Sequence, residues 1–261
     1  MKNGNFAMKK NFFKKHLLTC AAVLMLLALS TNLYAGTPAA PTWTISTQGT
    51  TYNTKPFLFW TAASSGSGWT INDAQIQIDD DSNFGSVNYD RTYYPTYVSE
   101  FRGLWTDWTS AATVIRHRVD TALAANTWYA RVRVMDSNPA SRNWSNYSTN
   151  WTFTIATISW TDSTISEGTT LIKAAHFTEL RTVINNLRTL RNSGSYTWST
   201  VTIDSTKLIK AVDMTDLRDA LTTPYNTATG TNPTFTDTIT AGTTLIRKTH
   251  IDELRTKVLL P

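Results

Sequence analysis

An eleven-residue segment occurs three times near the C-terminus of this chain, always at the same spacing. It begins at Leu171, Leu208 and Leu245, so consecutive copies start 37 residues apart. A fixed period of this length is typical of stacked supersecondary units, each of which buries its apolar face against its neighbours. We therefore expect a small, mainly helical three-repeat domain at residues 158–261, with copies at about 158–194, 195–231 and 232–261.

Each copy predicts one amphipathic helix after a short extended leader and a turn. Apolar residues recur at steps of three and four, which is the spacing of one helix face. These residues are Phe177, Leu180, Ile184 and Leu187, then Met214, Leu217 and Leu221, then Ile251, Leu254 and Val258. Helix ends are predicted at Asn192–Gly194, at Pro224 and at Pro261.

Polar residues recur at three positions of each copy. They are His176, Glu179 and Arg181, then Asp213, Asp216 and Arg218, then His250, Glu253 and Arg255. Aspartate and neutral imidazole both accept a hydrogen bond, so we interpret the first position as a helix cap, with the acid completing a capping box. The arginine lies two residues beyond the acid and cannot face it on a helix. Each arginine is expected to reach the extended leader, with Asp162 and Asp237 as partners in the outer copies.

A transition-metal site is the alternative interpretation of His176, Asp213 and His250. Two imidazoles and a carboxylate suit such an ion, and a metal-dependent enzyme would follow. Packed helix axes lie about 8–10 Å apart, however, whereas metal–ligand bonds are about 2 Å. Only a close threefold convergence would assemble the site, so we expect neither a metal nor another cofactor at these positions.

The copies resemble tandem units at the C-terminal ends of large secreted bacterial proteins. Their leader–turn–helix layout is also faintly similar to S-layer homology modules, which hold proteins on cell-wall polysaccharide. The Ile-Thr-Arg-Ala-Glu signature of those modules is matched in part by Ile172–His176 and Ile246–His250. The resemblance implies a polysaccharide, a cell wall or a surface protein as the partner.

Residues 1–35 have the composition of a secretory signal peptide. Five lysines precede an apolar run from Leu17 to Leu29, and the segment ends at the small residue Ala35. The run is shorter than the roughly 20 residues that span a bilayer. We therefore expect cleavage after Ala35, a secreted or cell-surface location and no membrane span in the mature protein.

Removal of this segment changes the charge and the cysteine content. Its five lysines account for the excess of 24 basic over 19 acidic residues, so 19 of each sign remain. No basic field for nucleic acid is left. Cys20 is the single cysteine of the chain and leaves with the segment, so the fold is expected to depend on its apolar core rather than on disulfides.

Residues 36–157 carry short apolar runs with a period of two. Clusters of Gly, Ser, Asn and Asp separate them. The predicted strands are 57–60, 74–78, 114–119, 128–134 and 151–155. Short strands at turn-punctuated intervals predict an all-β sandwich of two sheets.

Three further features stand out in this region: Pro41 before Trp43, Trp60 on the second strand, and Leu123 six residues before Tyr129. In these features the region resembles a fibronectin type III domain, and the resemblance implies an immunoglobulin-like fold. The last spacing is similar to the tyrosine corner of the family, in which the phenol bonds back to the preceding loop.

The tyrosine corner conflicts with strict alternation, because an inward Tyr129 would also bury Arg131 and Arg133. Either a bulge intervenes, or the inward face consists of Trp128, Ala130, Val132 and Val134. We favour the second arrangement. The segment Trp144–Ser148 is similar to the Trp-Ser-x-Trp-Ser element of some members, and this predicts that both arginines stack on Trp144.

Two further segments are candidate binding sites. Asp79, Asp80 and Asp81 offer oxygen ligands for calcium, but Asp, Ser and Asn also favour turns, which we consider the better interpretation. The second segment is aromatic and contains Tyr93, Tyr94, Tyr97, Phe101, Trp105 and Trp108. Exposed aromatic residues bind sugars or proteins, whereas alternation would turn half of them into the core.

No catalytic motif is visible, so we expect a non-enzyme. The favoured hypothesis is a secreted binding or adhesion protein, with a recognition domain in the sandwich and a repeat domain for attachment or spacing. A structural component of an extracellular matrix or surface layer, formed by self-association of the repeats, is the first alternative. The metal-dependent enzyme is the second.

Overall fold

The computed structural model describes residues 37–45, 48–61, 71–93, 114–136 and 142–260. The predicted signal segment lies outside these residues, as does the aromatic segment beyond Tyr93. The described part of the chain contains two β-sheets and three helices. The strands are β1 (Thr42–Trp43), β2 (Gly49–Thr51), β3 (Phe57–Thr61), β4 (Ile71–Asp79), β5 (Tyr89–Tyr93), β6 (Val114–Arg118), β7 (Asn126–Asp136) and β8 (Trp151–Ile155). The helices are α1 (Ala174–Leu190), α2 (Ala211–Thr229) and α3 (Lys248–Lys257).

The two sheets share one core, an arrangement compatible with a β-sandwich. One sheet has the order β1-β3-β6 and the other the order β2-β8-β7-β4-β5. All neighbours are antiparallel except β2 and β8, which run parallel. Leu58 and Trp60 from the first sheet pack in the same buried cluster as Ile76 and Val132 from the second. Each strand predicted from the sequence is present, whereas β1, β2 and β5 were not predicted.

The inward face of β7 is the one that alternation favours. Trp128 and the three small apolar residues that alternate with it are buried, while Tyr129 is only half-buried. The arrangement favoured from the sequence, with Tyr129 outside the core, is therefore the one observed, and the tyrosine-corner alternative is wrong. On the inward face, Nε1 of Trp128 donates to the carbonyl of Ala124 at 2.9 Å.

The outer face of the same strand carries a ladder of cations and aromatic residues. Arg133 lies over Trp144 at 4.7 Å, as predicted. Arg131 instead lies 4.1 Å from the ring centres of both Phe84 and Tyr147. Glutamines of β4 complete the ladder, because Arg131 and Arg133 both donate to their side-chain oxygens.

The three helices bury the apolar stripes that the sequence predicts. Every stripe residue belongs to one buried cluster, and each helix contacts the other two. The predicted end of α2 at Pro224 is wrong, since the helix continues to Thr229 and stops at Gly230 in the left-handed conformation. Pro224 lacks the N–H that would bond the carbonyl of Ala220. Arg188 of α1 supplies the missing donor, with Nη1 at 2.7 Å from that carbonyl.

The helices also pack directly against the sheets. Leu190, at the end of α1, belongs to the sandwich core. A side chain on Gly49 would lie 2.6 Å from the Cα of Leu190, so β2 approaches α1 too closely for any other residue. Arg191 is buried, stacks on Phe59 at 5.0 Å and donates to the carbonyl of Phe57 at 2.9 Å. Its burial lowers the pKa of the guanidinium to about 9.

No helix within the described ranges is long and apolar enough to cross a membrane.

Candidate functional site

The repeated arginines link the three copies in a closed circuit. Nη1 of Arg181 donates to the carbonyl of Thr200 at 2.7 Å, in the leader of the second copy. Arg218 donates in the same way to Asp237, in the third copy. Arg255 donates to the carbonyl of Asp162 at 2.6 Å, which returns the circuit to the first copy.

Each arginine also stacks on the aromatic residue that opens the leader it reaches. Arg181 lies 4.5 Å from the ring centre of Trp198, and Arg255 lies 4.7 Å from that of Trp160. Arg218 lies 4.4 Å from the ring centre of Phe235. Burial lowers the pKa of all three guanidinium groups, and nearby carboxylates partly oppose this effect.

The arginines do reach leaders, as predicted, but both the leader and the acceptor differ from the prediction. Each contacts the leader of the next copy, and its acceptor is a backbone carbonyl rather than a carboxylate. The carboxylates lie farther away, for example 3.9 Å between Arg255 Nη2 and Glu179 Oε2. A carbonyl acceptor explains why Thr200 can occupy the position that Asp162 and Asp237 hold in the other copies.

The repeated histidines and aspartate accept hydrogen bonds at the helix starts, as their spacing predicts. Nδ1 of His176 accepts the N–H of Lys173 at 3.3 Å, and Nδ1 of His250 accepts that of Arg247 at 3.1 Å. In the second copy, Asp213 accepts the N–H of Lys210 at 2.8 Å. All three accept the N–H of the residue immediately before the helix.

The imidazoles use their second nitrogen within their own copy. Since Nδ1 accepts a hydrogen bond, the proton resides on Nε2. Nε2 of His176 donates to Asp162 at 2.8 Å, and Nε2 of His250 donates to Asp237 at 3.0 Å. Both nitrogens of each ring are therefore engaged by protein atoms.

The repeated acids bind the leaders of their own copies rather than completing a capping box, which corrects the prediction. Glu179 accepts the N–H of Thr161 at 2.9 Å, and Glu253 accepts that of Thr236 at 2.9 Å. Asp216 accepts the N–H of Ser199 at 2.7 Å. The acid and the arginine of one helix thus hold two different leaders.

His176, Asp213 and His250 do not converge on one point. Within the described ranges, only Asp79, Asp80 and Asp81 bring three potential ligand atoms within 4.8 Å of one another. The hydrogen bonds of these aspartates shape a turn, in which Asp81 accepts from the N–H groups of Asn83 and Phe84. Burial raises the pKa of Asp79.

An open cleft of about 340 Å³ lies between α1 and the leader of the second copy. We call it the aromatic cleft. It is lined by Asn185, Arg188, Thr189, Asn192, Gly194, Ser195, Tyr196 and Trp198. The two aromatic rings are half-buried and meet edge to face, with their centres 4.9 Å apart. The amides of Asn185 and Asn192 are exposed.

Arg188 lines the aromatic cleft and donates to three backbone carbonyls. Besides the carbonyl of Ala220, it bonds those of Ser193 and Gly194, at 2.8 and 2.9 Å. These bonds fix the turn that positions Tyr196. The hydroxyl of Tyr196 donates to Asp216 at 3.2 Å, and burial raises its pKa to about 12.

A second cavity lies at the N-terminal ends of the helices. It is open, has a volume of about 630 Å³ and is lined by Ile172, Ile209, Lys210, Ala211, Val212, Ala241, Gly242, Thr244, Leu245 and Ile246. The three isoleucines occupy equivalent positions of the three copies. The leucine that precedes each of them is exposed, by 78% at Leu171, 88% at Leu208 and 74% at Leu245.

Of the aromatic candidates predicted in the sandwich, Tyr93 is within the described residues and the others are outside them. Its hydroxyl lies 2.7 Å from that of Tyr89 and 3.1 Å from Nε2 of His117. His117 is buried, although it lies between two arginines in the sequence. Burial lowers the pKa of His117 to about 3.

Neither the aromatic cleft nor the exposed leucines were predicted from the sequence. A signal for the leucines exists, because a large apolar residue recurs before each helix and outside its stripe. Apart from Trp198, which is repeated as Trp160 and Phe235, the cleft has no periodic signal, since Asn192 and Tyr196 have no counterparts in the other copies.

No protein-family model matches the chain, and the comparison with curated proteins finds no match. Among solved structures, an α-L-rhamnosidase from Dictyoglumus thermophilum is similar over 48% of this chain, with 15% identity and a TM-score of 0.30. The chain spans 13% of the length of that enzyme. At this TM-score the likeness bears on neither the fold nor the activity of this chain.

Proposed function

We propose that this chain is a secreted, non-catalytic binding or adhesion protein whose helical copies attach it to polysaccharide. The observation that carries the proposal is the lining of the aromatic cleft. Sugars are bound by aromatic rings, which cover their apolar C–H faces, together with amides and hydroxyls, which bond their hydroxyl groups. Tyr196 and Trp198 supply the rings, and Asn185, Asn192 and Ser195 supply the polar groups.

The absence of catalysis is supported by how the chemically active side chains are used. The repeated histidines, acids and arginines are engaged with leaders and helix starts of the copies. They have a common structural task, and none of them is among the residues that line the aromatic cleft, where a nucleophile or a general base would be needed.

The fibronectin type III assignment of residues 36–157 belongs to the same proposal. It is supported by the strand order of the two sheets and by the buried Trp60. In the segment that resembles the Trp-Ser-x-Trp-Ser element, the hydroxyls of Ser145 and Ser148 accept the N–H groups of Val134 and Val132, both at 3.1 Å. We assign recognition of a further partner to this domain and attachment to the helical copies.

The experiment is a binding measurement with purified cell-wall polysaccharides and soluble oligosaccharides, using calorimetry and co-sedimentation. The variant Asn185→Ala/Asn192→Gly removes both exposed amides. Glycine suits position 192 because its φ is 50°, in the left-handed region. The control is Thr182→Ala, an exposed position of α1 outside the cleft.

We expect the double variant to bind at least about tenfold more weakly, since two hydrogen bonds of about 1 kcal/mol each are lost. The control should bind like the wild type. Full affinity of the double variant, or no saccharide binding by the wild type, would contradict the proposal. A parallel variant, Trp105→Ala/Trp108→Ala, measures the contribution of the aromatic candidates outside the described residues.

A further inference from the structure

The exposed leucines and the cavity beside them form one apolar surface. We call it the leucine face and define it as Leu171, Leu208 and Leu245 with Ile172, Ile209 and Ile246. The isoleucines are half-buried and pack against the helical core, whereas the leucines project with 74–88% of their surface exposed. A single exposed leucine needs no explanation, but clustered apolar residues at one surface indicate an interaction site.

The three copies build this surface together. All three isoleucines line the same cavity, although they lie 37 residues apart along the chain. The arginine circuit brings them there, because it holds each helix against the leader of the next copy. The helix cores are filled by the stripe residues, so the leucines are not needed for folding of the copies.

The charges around the leucine face decide what kind of partner fits. Five basic residues lie beside it, namely Lys173, Lys207, Lys210, Arg247 and Lys248. Five acidic residues lie in the same leaders, turns and helix starts, namely Asp162, Glu167, Asp204, Asp237 and Asp252, the last paired with Lys248. An anionic lipid surface would meet as many carboxylates as cations, so electrostatic attraction would nearly cancel. A protein surface with the same mixture of signs matches this pattern.

We propose that the leucine face binds a second copy of this chain. A twofold pair places each face opposite an identical one, so apolar residues meet apolar residues and each sign of charge can meet its opposite. Residues 36–261 carry 19 basic residues, after the five N-terminal lysines are subtracted from 24, and 19 acidic residues. Without net charge, two copies do not repel each other at long range. The aromatic cleft is a separate feature, so a dimer presents two clefts and gains avidity on a repetitive polymer.

The test measures the mass of the purified protein by sedimentation equilibrium over a wide range of concentrations. The decisive variant is Leu171→Ser/Leu208→Ser/Leu245→Ser. Val201→Ser is the matched control, because Val201 is 88% exposed but lies in one leader only and has no repeated equivalent. All variants share the rest of the chain, so any association through residues outside the face is the same in each.

We expect a monomer–dimer equilibrium for the wild type and for Val201→Ser, and a dissociation constant raised about a hundredfold or more in the triple variant. Circular dichroism and thermal unfolding of the triple variant should match the wild type. A wild type that stays monomeric, or a triple variant that keeps the dimer mass, would overturn the proposal. Flotation with phosphatidylglycerol vesicles completes the test, since vesicle binding by a monomeric wild type would assign the face to lipid instead.

Discussion

Arg255 in the last helix donates to the backbone carbonyl of Asp162, which lies 93 residues earlier, at 2.6 Å. This bond joins the end of the third copy to the leader of the first. Its guanidinium also covers the ring of Trp160. Arg181 and Arg218 make the two equivalent contacts. The three copies therefore form a closed arrangement, in which the arginine of each helix binds the leader of another copy.

Closure explains why the arginines are repeated although they lie off the apolar stripe. In an open, linear stack of three copies, the last arginine would have no leader to bind and the first leader would have no arginine. Here every arginine finds a carbonyl and an aromatic ring. We therefore expect the three copies to unfold as one cooperative unit rather than one after another.

The first prediction concerns Pro224 and Arg188. Replacing Arg188 by Met leaves the buried carbonyl of Ala220 without a donor, because Pro224 has no N–H. In a Pro224→Ala background the helix supplies its own N–H. Arg188→Met should therefore lower the free energy of unfolding by about 1–2 kcal/mol less in the Pro224→Ala protein than in the wild type. Urea titrations of the four proteins measure the coupling, and equal costs in both backgrounds would show that the arginine does not replace the helix bond.

The second prediction concerns the contact between Gly49 and Leu190. A methyl group at position 49 would lie 2.6 Å from backbone of α1, which cannot move aside cheaply. Gly49→Ala should lower the free energy of unfolding by about 1–3 kcal/mol. Gly85→Ala is the control, since its methyl group would meet only the movable side chain of Asn83. Denaturant midpoints check both, and an unaffected Gly49→Ala protein would show that the helix does not dock on β2.

The third prediction uses the carboxylates that bind the histidines. Hydrogen bonds from Lys173 and His176 lower the pKa of Asp162, and the bond from His250 lowers that of Asp237. A lowered pKa stabilises the fold above the unfolded value of about 4, and this stabilisation is lost as the pH falls through the folded pKa. The stability difference between wild type and Asp162→Asn/Asp237→Asn should be constant near neutral pH and shrink below about pH 4. A difference that is unchanged at low pH would argue against these bonds.

The fourth prediction concerns His117, whose burial lowers its pKa to about 3. The unfolded chain takes up this proton near pH 6.5, whereas the folded chain does not. Stability should therefore fall as the pH drops from 6.5 towards 3, by about 1.4 kcal/mol per pH unit. Between pH 7 and pH 5 the wild type should lose about 2 kcal/mol more than His117→Gln. Parallel pH profiles of the two proteins would show that the imidazole is not buried.

Much of the helical part could be predicted from the sequence. The period located the three helices, and the stripe residues such as Phe177 and Met214 are all buried. The capping role of His176, Asp213 and His250 followed from the one ability that imidazole and carboxylate share. These features are local, so a single sequence contains the information that they require.

The order in which the copies meet could not be predicted. Because the three leaders are equivalent in sequence, the residues around Arg181 do not indicate which leader it binds. It could bind that of its own copy, at Asp162, or that of the next copy, at Thr200. The end of α2 was missed for a related reason, because the donor that rescues Pro224 comes from Arg188, 36 positions away. Strand β5 was missed because Tyr89–Tyr93 holds polar residues at an edge and lacks a clear alternation.

The central claim is that each repeated arginine binds the leader of the next copy and not its own. A double-mutant cycle on unfolding free energies tests it most directly. Arg255→Ala and Trp160→Ala should show a coupling of about 1–2 kcal/mol, because the two side chains stack. Arg255→Ala and Phe235→Ala, which pair the arginine with the leader of its own copy, should be additive to within about 0.5 kcal/mol. Coupling to Phe235 and none to Trp160 would contradict the closed circuit.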